Sequence, residues 1–234
     1  MIKIRRSKER GYEDRGWIES FYTFTFENYL DPNWMGFHNL RVFNEGILKE
    51  GKGFSAHHHK EIEILTYVVE GVMEREDSFG KTSLIRPGEL LHLSAGSGVT
   101  HTEYNLSHHL PLHFFELWIN PKIHGTPPHE EKKIFSSAAK WGRWCLIASA
   151  NGRDGSFVIR QDVDIYLSLL EKDEDIGLDT LADRYYWLQI LSGSFHFAGH
   201  DLHAGDAAIF SEESTVSIAC QENGELMLIE LAEL

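Results

Sequence analysis

The segment from Gly51 to Gly71 places three imidazoles, His57, His58 and His59, just ahead of two carboxylates, Glu61 and Glu63. Read as a strand, its period of two sets His57 and His59 on one face and turns His58 to the other. Further along, between Gly96 and Glu103, the same geometry returns with His101 and Glu103 separated by one residue. Held from two rigid strands, three imidazoles and one carboxylate fill about four positions of an octahedral ion and leave roughly two for substrate or oxygen. Such an open set suits a catalytic centre more than a sealed structural one. Taken alone, the first pair reads more readily as a solvated His-rich loop; the second pair, beside glycine turns and the apolar runs 64–69 and 84–93, reverses the reading to metal.

Nitrogen and oxygen donors without thiolate suit Fe(II), Mn(II), Ni(II), Cu(II) or Zn(II), and affinity alone favours copper. Glu63 competes with Glu103 for the carboxylate position, because on an unbroken strand Glu61 and Glu63 continue the face of His59.

The elements that must position these side chains read as short strands. Residues 63–76 form a strand and open a hairpin at Asp77–Gly80, residues 86–89 make a turn, and 90–93 lead into the second ligand pair. Strand 112–119 is expected to send Phe114, Glu116 and Trp118 to one face and His113 and Phe115 to the other. Upstream, Phe24 and Phe26 are expected to face inward, Asp31–Gly36 to turn, and 40–44 to form a strand. Trp34, Met35 and Phe37 either line a pocket mouth or pack in a core. Strands joined by frequent turns indicate a β-barrel or sandwich.

Residues 121–134, rich in proline and charge, read as a linker, with His124 and His129 exposed. Strands resume at 144–147, 157–159, 165–170, 186–191, 195–197, 207–210, 216–219 and 226–231. Gly193 and Gly205-Asp206 echo Gly71 and Gly88-Glu89, which suggests an internal duplication. The positions where a second metal pair would fall hold Asp179 and Ile218, so the second half is expected to carry no metal. His196, His200 and His203 have no ligand-type partner two residues away.

The chain has 234 residues, with Lys plus Arg 22, Asp plus Glu 36 and a net charge of −14. That acidity disfavours direct binding to nucleic acid and to anionic membranes. The basic residues Lys3, Arg5, Arg6, Lys8 and Arg10 are interleaved with acids and read as a solvated face, the alternative being a patch for an acidic partner. The two cysteines, Cys145 and Cys220, support no disulfide framework. Without an apolar leader or span, a soluble, cytoplasmic setting is expected.

Gly51, His57, His59 and Glu63 resemble the first motif of the cupin superfamily, and Gly88–His101 resembles the second. Gly16-Trp17, Thr23–Phe26, Tyr29 with Asp31-Pro32, Leu40–Val42 and Gly53-Phe54 look like the N-terminal signature of pirin-like bicupins. The resemblance implies an all-β fold of two tandem cupin barrels (double-stranded β-helices, or jelly rolls), one at 1–125 with the metal site and one at 126–234 without. It also implies a mononuclear iron, Fe(II), held by His57, His59, His101 and Glu103, and for some members a quercetin dioxygenase activity on a small aromatic substrate and O2. Glu103 would then accept the substrate proton, Glu63 would support the ligands, and Phe54, Tyr104 and Trp118 would sandwich a planar ring. Glu116 departs from the resembled pattern, which usually has glutamine there, and so alters the polarity of the pocket wall. A second implied role is redox sensing by the iron coupled to a protein partner, since vertebrate members are associated with transcription factors.

Overall fold

The structure, a computed structural model, describes residues 2–233. Twenty strands, β1 to β20, form two compact units. One unit is Gly11–Ile134; among the described residues the other begins at Phe135 and also takes in residues 2–10. The expected boundary at 125/126 therefore moves to 134/135, and the N-terminal end changes sides.

In chain order the first twelve strands are β1 (Ile2–Arg5), β2 (Gly11–Asp14), β3 (Ile18–Tyr22), β4 (Leu40–Leu48), β5 (Gly53–His59), β6 (Glu63–Glu70), β7 (Met73–Asp77), β8 (Thr82–Ile85), β9 (Glu89–Ser94), β10 (Val99–Asn105), β11 (Leu112–Ile119) and β12 (His129–Ile134). Those from β2 onward make two sheets, β12-β9-β6-β11-β4-β3-β2 and β5-β10-β7-β8. Alternating apolar residues pack the space between them, with Leu48, Val68, Met73, Ile85, Leu91 and Leu112 at its centre. β5 has no fully buried residue, because its inner face borders a cavity instead of the core.

The stretch read as a linker contains β12, which runs antiparallel to β9 from His129 opposite Ser94 to Ile134 opposite Glu89. It gave no hydrophobic signal because it is an edge strand held by charge: Glu130 pairs with Arg75 and Lys81, and Lys132 with Glu89.

The other unit contains β13 (Cys145–Ser149), β14 (Phe157–Val158), β15 (Val163–Leu170), β16 (Asp175–Asp179), β17 (Arg184–Phe197), β18 (His200–His203), β19 (Ala207–Ser211) and β20 (Thr215–Ala232). One sheet, β1-β19-β17-β20-β15-β13-β14, has β16 added on β20 and β18 on β17. Segments read as separate strands are continuous in β17 and β20, which keep pairing through register shifts around Ser192 and Ser194. Short β16 and β18 carried too little alternation to be read. Gly71 and Gly193 adopt φ of 80° and 78°, and at each a Cβ would come within 2.5 Å of a backbone oxygen. The echo between the two halves is thus a shared turn that only glycine fits.

The second barrel is filled. Tyr186, Leu188, Phe195, Phe197, Phe210 and Ile218 belong to one buried cluster, with Tyr186 stacked on Phe210 at 5.0 Å and 9°. Asp179 lies exposed at the end of β16, where it accepts from Thr215. Among the described residues no helix is long and apolar enough to cross a membrane, and both cysteines are free. Phe210→Ala should cost about 3–5 kcal/mol, since a stacked and fully enclosed ring leaves a cavity that cannot collapse. Denaturant unfolding of the two proteins, compared at equal m, checks this.

Candidate metal centre

β5 and β10 pair antiparallel with His57 opposite His101. Further along, Phe54 lies opposite Glu103, so three steps on β5 match two on β10. That extra residue is a β-bulge, and it turns Phe54 to the side of His57, where simple alternation would have put Ser55. The imidazole donor atoms of His57, His59 and His101 all lie within 4.8 Å of one another. Ring centroids are 4.3 Å apart for His57–His101, 4.9 Å for His59–His101 and 5.0 Å for His57–His59. His58 turns away to solvent, 3.2 Å from the Thr100 hydroxyl, as a period of two requires. The Ser55 carbonyl, 2.8 Å from His57 Nδ1, only accepts, so that nitrogen carries the hydrogen and Nε2 is left as the donor atom.

Glu103 is buried beside this trio, its Oε1 3.3 Å from His101 Nε2 and 3.7 Å from Arg75 Nε. Burial alone would raise its pKa; the hydrogen bond and charge of His101, with the charge of Arg75, outweigh burial and hold it at about 2. Burial, reinforced by the neighbouring imidazoles, takes His59 down to about 3, and burial lowers His101 too. Lowered pKa values at His59 and His101 beside an ionised Glu103 favour the protonation states a divalent metal needs, so the donor set fits one.

Glu63 ends elsewhere. β5 stops at His59, Glu61 takes a left-handed φ of 52°, and the chain re-enters in the other sheet. There Glu63 is buried and accepts from His92 Nε2 and Ser94 Oγ, each at 2.7 Å. The unbroken strand that would have continued the face of His59 is interrupted at Glu61.

His57, His59 and Glu103 border a cavity of about 870 Å³. β11 contributes Phe114, Glu116 and Trp118 to its wall, the face that alternation assigned them. Trp118 packs edge-on against His59 at 4.9 Å and against Phe26 at 5.4 Å. Phe54 stands between Trp17 and His57, at 5.3 and 6.2 Å. Tyr104 also borders the cavity, at its edge: it alternates away from Glu103, is 41% exposed, and lies over Gly53. Trp34 is buried against Phe24 and Met35 is exposed, and neither borders the cavity. Arg75, which contacts His101 and Glu103, was missed; its signal was a lone arginine at the inward position of the alternating segment Met73–Asp77.

The Trp118 indole donates to Glu116 Oε1 at 2.5 Å. Desolvation, together with the charge of Glu103, pushes Glu116 up to about 8, so the two carboxyls of one cavity titrate far apart. A folded pKa raised above the ordinary 4.5 of a glutamate gives stability that is complete below 4.5 and lost as pH rises through about 8. Relative to Glu116→Gln, the metal-free wild type should therefore weaken steadily between those limits. Unfolding of both proteins at pH 5, 7 and 9 checks it, and parallel profiles would place an ionised Glu116 in the folded state.

Residues 3–119 match the pirin family and residues 146–231 match the quercetinase C-terminal cupin domain. A protein of Escherichia coli K12 named quercetin 2,3-dioxygenase is 38% identical over 231 residues, 99% of each chain. The pirin-like protein YhaK of the same organism is 33% identical over 236 residues, again 99% of each. The crystal structure of the E. coli pirin YhhW in complex with nickel(II) superposes with a TM-score of 0.95 at 38% identity, covering 100% of both chains. With both halves matched and full-length relatives at this identity, the chain belongs to the pirin family of two-cupin proteins.

Proposed function

We propose that the protein is a metal-dependent dioxygenase of flavonol-like aromatic compounds, with His57, His59, His101 and Glu103 holding one divalent metal. The observation that carries this reading is the meeting of three clustered imidazoles with an aromatic-walled cavity of about 870 Å³, roomy enough for a polycyclic phenol. The names of the relatives support the substrate class. Nickel is the metal of one relative; Fe(II) is the proposed resident because it also brings redox chemistry toward oxygen, and Mn, Cu and Zn suit the same donors.

A bound metal supplies Lewis acidity that lowers the pKa of a substrate hydroxyl and activates the pair of reactants toward each other. The protein supplies the rest. Phe54, Phe114 and Trp118 offer apolar walls against which a planar ring can lie and which keep water from its faces. Glu103, ionised at neutral pH, accepts the proton of the acidified hydroxyl. Glu116, protonated at neutral pH and oriented by Trp118, donates a hydrogen bond to a substrate oxygen and, unlike glutamine, can also give up a proton.

Protein loaded anaerobically with Fe(II) and given quercetin should consume oxygen, and His59→Ala should abolish the uptake. Uptake in both proteins would mean that the cluster is not the reacting centre. Absence of uptake with one iron bound per chain would replace catalysis by the sensing role coupled to a protein partner.

A further inference from the structure

We infer that Asn44 is a specificity-determining residue of the cavity: its side-chain amide takes a hydroxyl that a bound aromatic compound carries away from the metal. The inference rests on the flavonol reading above and names the part of such a compound that the protein recognises.

Asn44 stands on the inward face of β4, where Val42, Gly46 and Leu48 are buried. Across the sheet it lies opposite Glu116 on β11 and Tyr22 on β3, so the three form one polar row, and all three border the cavity. Two members of the row are already engaged. Glu116 Oε1 accepts from the Trp118 indole at 2.5 Å, and the Tyr22 hydroxyl donates to Glu13 Oε2 at 2.8 Å. The carbonyl oxygen of Asn44 is buried and has no hydrogen-bond partner.

A buried polar group without a partner costs stability, and native proteins keep few of them. An apolar side chain at this inward position would avoid that cost, so the amide is explained by what it does for a ligand. A half-turn about its Cβ–Cγ bond exchanges the oxygen and nitrogen ends, and no bond to the carbonyl opposes the turn. Asn44 can therefore present an acceptor or a donor to the cavity, and a hydroxyl, which is both, suits either.

Position decides which hydroxyl. Trp118 packs on His59 at 4.9 Å and holds Glu116, and Asn44 lies one strand spacing, about 5 Å, beyond Glu116. A ligand gripped at the histidine cluster thus meets Asn44 with a part that does not touch the metal. Beside Asn44 the wall is flat and apolar: Gly46 lets the Phe114 ring lie against the backbone, where a Cβ would come within 2.6 Å of it. A planar ring can rest on Phe114 with a hydroxylated edge toward the amide.

Quercetin and 3-hydroxyflavone share the hydroxy-ketone edge that a metal would grip, and only quercetin bears further hydroxyls. Anaerobic titration calorimetry of both compounds into Ni(II)-loaded protein separates the two contributions. Asn44→Leu, close in shape and apolar, and N44A, which cannot overfill the site, should each bind quercetin about 3–10-fold more weakly and 3-hydroxyflavone as the wild type does. Equal losses for both compounds, or no loss for either, would overturn the inference while leaving the flavonol reading in place. Reduced thermal stability of both variants with an unchanged ratio of affinities would make Asn44 a structural residue. A wild type that binds neither compound would remove the flavonol reading, and this inference with it.

Discussion

The centre depends on one strand pairing. β5 and β10 meet with His57 opposite His101, and the extra residue on β5 before that point brings Phe54 opposite Glu103. Because side chains alternate with a period of two, a slip of β5 by one residue against β10 would send both of its imidazoles, His57 and His59, to the solvent side. The register is pinned from beyond the ligands. Asn105, two residues past Glu103, is buried and donates to the carbonyls of Leu48, Lys49 and Leu110, while on the other side β7 keeps Arg75 opposite Glu103. The site is rigid because three strands agree about it.

Charge placement follows from that pairing. Burial beside other imidazoles and away from water lowers the pKa of His59 and of His101. Glu103 keeps its charge because His101 and Arg75 face it, and Glu116 loses its charge because it is buried and Glu103 faces it. Burial, Arg75 and the mutual repulsion of the two carboxyls thus divide the roles of the cavity into a carboxylate and a carboxylic acid before any ligand arrives.

What could be read from the chain was whatever a period of two encodes. The facing of His57, His59 and His101, the outward turn of His58 and the shared face of Phe114, Glu116 and Trp118 all follow from alternation within single strands. What could not be read depends on where alternation breaks or where two distant segments meet. Glu61 leaves the extended region and so removes Glu63 from the cluster, and the bulge decides between Ser55 and Phe54. β12 was invisible because an edge strand held by ion pairs carries no apolar period. Its contribution to the centre, Glu130 against Arg75, joins residues fifty-five positions apart that no local pattern links.

The two barrels show how one architecture yields a site in one case and a core in the other. Matching glycines at 71 and 193 make the same left-handed turn, so the backbone is not what distinguishes them. The difference lies in the inward residues. In the second unit they are Tyr186, Phe195, Phe197, Phe210 and Ile218, which fill the interior with rings and branched chains. In the first, the strands that would close the same space carry histidines and a glutamate on their inner faces, and these keep the cavity open because each is too costly to bury without a partner. An open interior lined by polar groups costs stability, which the filled interior of the second unit does not, and stability given up at one place in a fold is the usual mark of a functional site.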